Sequence, residues 1–130
     1  MTSIRTVLVL LACLAPALQG CTALLGGAAG AGATAYVTGD LETSYPAPVD
    51  RTAQATLTAL QQLDLRVEGS SAGAGNERTI EGRKADGTRV TVWLGPAGEM
   101  AVARIRVGTF GDAKLSRQID RRIGENLGTR

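Results

Sequence analysis

The side chains capable of chemistry in this chain are few. Cys13 and Cys21 are its only thiols, and it contains no histidine. Without histidine the usual general base, the commonest metal ligand and every histidine-based triad are missing. Asp40 and Glu42 are two apart and would share one face of a strand, a spacing common on solvated strands. The run Gly108-Thr109-Phe110-Gly111-Asp112 is the most motif-like segment. An anion could sit on the free N–H groups of the helix start there, but the Asp112 carboxylate would occupy the same donors. The stronger expectation is a strand-to-helix turn, with Phe110 plugging the core and Asp112 capping the helix. No GxxxxGK[ST] or GxGxxG follows a strand, and no EF-hand-like cluster of oxygens occurs. The sequence assigns no catalytic residue, no metal ligand and no cofactor, and the expectation is that the protein is not an enzyme.

Cys21 has a different chemistry. Arg5 opens a short charged start, Val7 to Ala17 is apolar, and Leu18-Gln19-Gly20 leads to the cysteine. A positive start, an apolar stretch of about ten residues and a small residue at the cut mark a secretory signal. The stretch is shorter than the ~20 apolar residues a bilayer span needs, and Pro16 would interrupt a spanning helix. Leu18, Gly20 and Cys21 resemble the lipobox of bacterial lipoproteins, with Gln19 less usual at its position. By that resemblance the Cys21 thiol receives a diacylglycerol and cleavage follows Gly20. Two or three acyl chains give stable anchoring, where one gives only reversible binding. Thr22 stands where Asp would resemble an inner-membrane retention signal. The expected location is therefore the bacterial cell envelope, facing the periplasm, on the outer rather than the inner membrane.

Residues 1–20 are thus read as a signal peptide, 21–35 as a lipidated Gly/Ala-rich tether, and 36–128 as one small domain. Removing the leader takes away Arg5 and no acid, so the net charge of +2 falls by one. That near-neutral balance implies no nucleic-acid partner. Cys13 leaves with the leader, so acylation of Cys21 leaves the domain neither a free thiol nor a disulfide. Thr22 to Ala35 (TALLGGAAGAGATA) reads as a flexible tether with interfacial contact. Gly26 and Gly30 also give the GxxxG spacing of close-packed membrane helices.

The elements that must position any site follow from periodicity. Tyr36 to Pro46 alternates, with Val37, Leu41, Thr43 and Tyr45 expected on one face and Gly39 marking a bulge. Val49, Ala53, Leu57, Leu60 and Leu63 make one helical stripe over 49–63. Leu65 and Val67 form a short strand, and Gly69 to Gly75 a loop. Asn76 to Lys84 is polar around Ile80 and reads as an edge strand. Asp86-Gly87 is a hairpin signal. Thr88 to Leu94 alternates, Gly95 to Gly98 turns, and in 99–108 Ala101, Ala103, Ile105 and Val107 point inward. Leu115, Ile119, Ile123 and Leu127 make the stripe of a last helix, from Asp112 to a stop at Gly128. Aromatic residues are four, Tyr36, Tyr45, Trp93 and Phe110, so the core must be aliphatic. The order β-α-β-β-β-β-α predicts an α+β two-layer domain: a mainly antiparallel sheet of about five strands, with two helices on one face.

These residues resemble the DUF3568 family of bacterial lipoproteins. The resemblance rests on the lipobox and Gly/Ala tract, Tyr36-Val37-Thr38-Gly39-Asp40-Leu41, Tyr45-Pro46, and Ala55-Thr56-Leu57 with Leu60. It rests above all on Val107 to Asp112 leading into Ser116 and Ile119. It implies a small envelope lipoprotein domain with no assigned activity and carries over no catalytic residue.

One surface then stands out. Arg89, Thr91 and Trp93 point away from the core side of their strand, as do Arg104 and Arg106 on the next. A tryptophan among arginines suits a protein-binding surface; the alternative is a self-satisfied Arg–Trp stack on a solvated sheet. The expected function is a lipid-anchored, non-enzymatic interaction module. It is held to the membrane through Cys21, with a possible envelope protein as partner and no small-molecule substrate. The alternative is a structural lipoprotein that self-assembles through the Gly/Ala tract.

Overall fold

The computed structural model describes residues 34–130. Gly20, Cys21 and residues 22–33 of the Gly/Ala tract lie outside them, while Ala35, expected in the tether, opens the first strand.

The expected architecture is present, with six strands. They are β1 (Ala35–Val37), β2 (Asp40–Tyr45), β3 (Arg66–Ala72), β4 (Arg78–Arg83), β5 (Arg89–Ala97) and β6 (Met100–Val107). Two helices, α1 (Val49–Gln62) and α2 (Ala113–Leu127), complete it. The sheet is antiparallel throughout, in the order β1-β2-β6-β5-β4-β3.

The strand expected over 36–46 is two strands. Thr38 and Gly39 both take positive φ, 53° and 88°, and form a two-residue hairpin instead of a bulge. Folding back moves Val37 to the opposite face from Leu41, because Val37 pairs with Asp40. Val37 is accordingly 54% exposed, not part of the expected apolar face. Tyr36, paired with Leu41, turns toward the core instead.

Three further expectations are corrected. Gly69 to Ala72 is not loop but the second half of β3, paired with β4; only the tight turn at 73–76 remains. A Gly/Ser segment has little strand preference of its own, and its neighbour supplies the hydrogen bonds. β4 is therefore interior, with β5 and β3 on either side, and the edges are β1 and β3. The turn expected at 95–98 is shorter, since Gly95, Pro96 and Ala97 extend β5 and the chain reverses between Ala97 and Met100.

One face of the sheet carries the core. Leu41, Ile105, Val92 and Ile80 form one cross-strand row, and Thr43, Ala103 and Leu94 the next. All of them are buried beneath the helices. Helix α1 buries Val49, Thr52, Ala53, Thr56, Ala59 and Leu60, so its inward face is smaller and more polar than the predicted stripe. Thr52 and Thr56 resolve their burial by donating to the Pro48 and Thr52 carbonyls at 3.0 and 2.8 Å. Helix α2 buries Ile119, Ile123 and Leu127 as expected. Asp112 accepts from the Leu115 N–H at 3.0 Å, and Gly128 closes the helix at φ 72°. Beyond it Thr129 and Arg130 fold back, with Arg130 paired to Asp120.

Asp120 is a buried carboxylate on α2, and it is satisfied from two sides. Tyr45 donates its hydroxyl to Oδ1 at 2.8 Å, and the Arg130 guanidinium donates to Oδ2. Burial, followed by the Asp120 charge, pushes the Tyr45 hydroxyl well above the usual tyrosine range.

Candidate functional site

Because both described helices lie on the core side, no described element covers the other face of the sheet. Strand pairing arranges it in rows. One row runs Ala35, Glu42, Arg104, Trp93, Thr79, Ser71 from β1 to β3. The next runs Val37, Asp40, Arg106, Thr91, Glu81, Gly69. A third joins Arg89, Arg83 and Arg66 on β5, β4 and β3. All five predicted surface residues, Arg89, Thr91, Trp93, Arg104 and Arg106, therefore meet on one face.

Trp93 is half-buried on that face. Its indole lies over Gly95, where a Cβ would collide with the ring. The Arg104 guanidinium sits 5.6 Å from the ring centroid and donates to Glu42 at 3.2 Å. Glycine at 95 is thus what lets a large ring lie flat on a strand. The stack is satisfied within the domain, and Trp93 remains partly exposed.

The carboxylates noticed for their spacing have partners the sequence alone does not show. Asp40 accepts from Arg106 at 2.7 Å, and Glu42 accepts from Arg104. The pairing follows from the β2–β6 register, in which Asp40 opposes Arg106 and Glu42 opposes Arg104. Arg106 also donates to the Thr109 carbonyl at 3.0 Å. Ion pairs this exposed contribute little stability; they fix side-chain positions and leave the face near neutrality.

In the third row Arg83 grips Glu68 through two bonds, 2.6 and 3.0 Å. Those bonds, helped by the charges of Arg89 and Arg66, hold the Glu68 carboxyl below its ordinary range. Arg89 and Arg66 make no ion pair within 4.0 Å among the described residues, so their charges remain available.

Phe110 departs most from expectation. It does not plug the core; it is 93% exposed. Gly108 and Gly111, at φ 69° and 85°, lift the turn out of the sheet. Gly111 is pressed against Gly39 and the Tyr36 hydroxyl, with no room for a Cβ. Phe110 lines an open cavity of about 540 Å³ together with Gly87, Arg89, Thr91, Arg106 and Thr109. Nothing local in the sequence marks an aromatic residue as one held outside.

Among the described residues no group of three carboxylate or thiol side chains is placed to hold a metal ion. No described helix is long and apolar enough to cross a membrane. The chain matches the model of a family described as "Protein of unknown function (DUF3568)" over residues 5–126. No curated protein matches it. The chain belongs to the DUF3568 family.

Proposed function

We propose that this DUF3568 member is a lipid-anchored envelope lipoprotein whose domain is a non-enzymatic interaction module. Attachment is through acyl chains on Cys21 after cleavage behind Gly20. The domain faces the periplasm, with the outer membrane favoured over the inner. The observation that carries the binding role is the uncovered sheet face. Both helices pack on one side, and the other presents Trp93, Arg104, Thr91, Arg106 and Arg89 as a continuous surface.

Its chemistry favours a protein partner. The centre is an aromatic–guanidinium stack, and tryptophan and arginine dominate binding hot spots. The ion pairs beside it are preorganised, so a partner need not order those side chains on arrival. The paired β5 and β6 strands beneath carry Trp93 and Arg104 opposite each other.

A photo-reactive residue at Thr91, cross-linked in intact cells, tests the reading. The expected result is a discrete adduct that Trp93→Ala reduces about tenfold or more, the loss of a hot-spot side chain being worth roughly 2–4 kcal/mol. An adduct pattern unchanged by Trp93→Ala counts against this face as the binding surface.

A further inference from the structure

Three turns meet at one end of the sheet: Thr38-Gly39, Asp86-Gly87 and Gly108 to Gly111. β1, β4 and β6 finish there, while β2, β3 and β5 begin there. The two large apolar side chains left exposed among the described residues, Phe110 and Val37, are both at this end. So is Arg89, whose carbonyl accepts from the Gly108 N–H at 2.8 Å.

Phe110 is not out by looseness. Gly39 and Gly111 interlock, and a Cβ on Gly39 would lie 2.8 Å from the Phe110 carbonyl. Arg106 pins the Thr109 carbonyl. A turn fixed this tightly around an exposed phenylalanine gains nothing for the domain alone, because an apolar ring held in water costs free energy.

The chain itself indicates what covers it. The polypeptide from Cys21 enters the domain at β1, whose last residue, Val37, is at this end. Residues 22–34 separate Cys21 from β1. A chain of that length reaches at most about 45 Å extended and averages roughly 20 Å as a coil. The tether therefore joins the sheet at Ala35, two residues before Val37, and is long enough for this end to reach the bilayer.

We infer that this end of the sheet rests on the lipid surface, with Phe110 entering the headgroup–acyl boundary and Arg89 at the phosphate level. The inference rests on the lipoprotein reading above. An aromatic ring flanked by a guanidinium has the amphipathic chemistry of interfacial anchors. The end as a whole mixes both signs of charge, through Glu68 with Arg83 and Asp86 with Lys84. The ring, not a polybasic field, is therefore the main contact.

The test uses the full chain processed in a bacterial envelope, then reconstituted in vesicles of phosphatidylethanolamine and phosphatidylglycerol. A nitroxide is placed at Thr109→Cys, or for comparison at Glu99→Cys on the exposed turn at the opposite end, and mass spectrometry reads the state of Cys21. The expected result is acylated Cys21, with access of a water-soluble nickel quencher about fivefold lower at 109 than at 99. Phe110→Ser should remove the difference. Equal access at both sites on an acylated chain overturns this inference and leaves the lipoprotein reading standing. An unacylated Cys21 overturns both. Shielding of 109 in native membranes but not in lipid vesicles means that a protein covers Phe110, and also overturns the inference.

Discussion

Trp93 shows how one small residue sets the character of a surface. The indole lies flat only because residue 95 has no Cβ, and Arg104 then stacks on it. Gly95→Ala should lift the ring off the sheet. Trp93 is the chain's only tryptophan, so its fluorescence reports the change directly. Emission should shift to the red, and stability should fall by about 1–3 kcal/mol, as for overpacking elsewhere. Tyr45 makes a second test. Its hydroxyl ionises far above the usual range because it is buried against Asp120. A group whose folded pKa is raised contributes stability that is complete below its unfolded pKa, about 10 for tyrosine, and is lost as pH rises beyond it. Stability of the natural chain should therefore decline above about pH 10, and in Tyr45→Phe that part of the decline should vanish. The same substitution should cost about 1–3 kcal/mol at neutral pH, because a buried Asp120 oxygen loses its donor. Denaturant melts at pH 7 and pH 11 check both.

At the scale of elements, the second helix was the most legible part of the chain. Its apolar stripe, the Asp112 cap and the Gly128 stop are local signals; Ile119, Ile123 and Leu127 are buried, and Leu115 is partly buried against the core. Ile119 and Ile123 are fully buried. Ile123→Asp should leave the domain unfolded at 37 °C, read as loss of a cooperative thermal transition; a normal melt would remove α2 from the core. Strands β5 and β6 were legible for the same reason, a strict two-residue period. What the sequence withheld was pairing. β3 beyond Val67 looks like a loop because Gly-Ser-Ser-Ala has no strand preference without β4 beside it. β4 looks like an edge because only Ile80 is a large apolar residue; Gly82 also points inward, but it leaves its space to Leu60 of α1. Thr38 hides a hairpin because a β-branched residue rarely takes positive φ. The five surface residues were readable from alternation, whereas their carboxylate partners depended on the β2–β6 register. Phe110 was misplaced because residue type argued for burial, while a distant glycine contact holds it in solvent.

The whole molecule makes sense as a small sheet with three distinct sides. The helices seal one face, and the open face offers the Trp93–Arg104 surface. The end carrying Phe110 borders the open face at Arg89. If that end rests on lipid, the open face stands upright from the bilayer and is reachable by a partner in the periplasm. Membrane contact and protein contact then centre on different side chains, Phe110 and Trp93, and share Arg89 at their border. This arrangement requires that the chain be anchored at Cys21. The most direct measurement is the intact mass of the N-terminal peptide of the mature protein, recovered from bacterial membranes. The account predicts a peptide that begins at Cys21 and carries the added mass of a thioether-linked diacylglycerol, shifting to an unmodified form in Cys21→Ser. A natural chain whose peptide begins elsewhere, or whose Cys21 thiol is free, would contradict it.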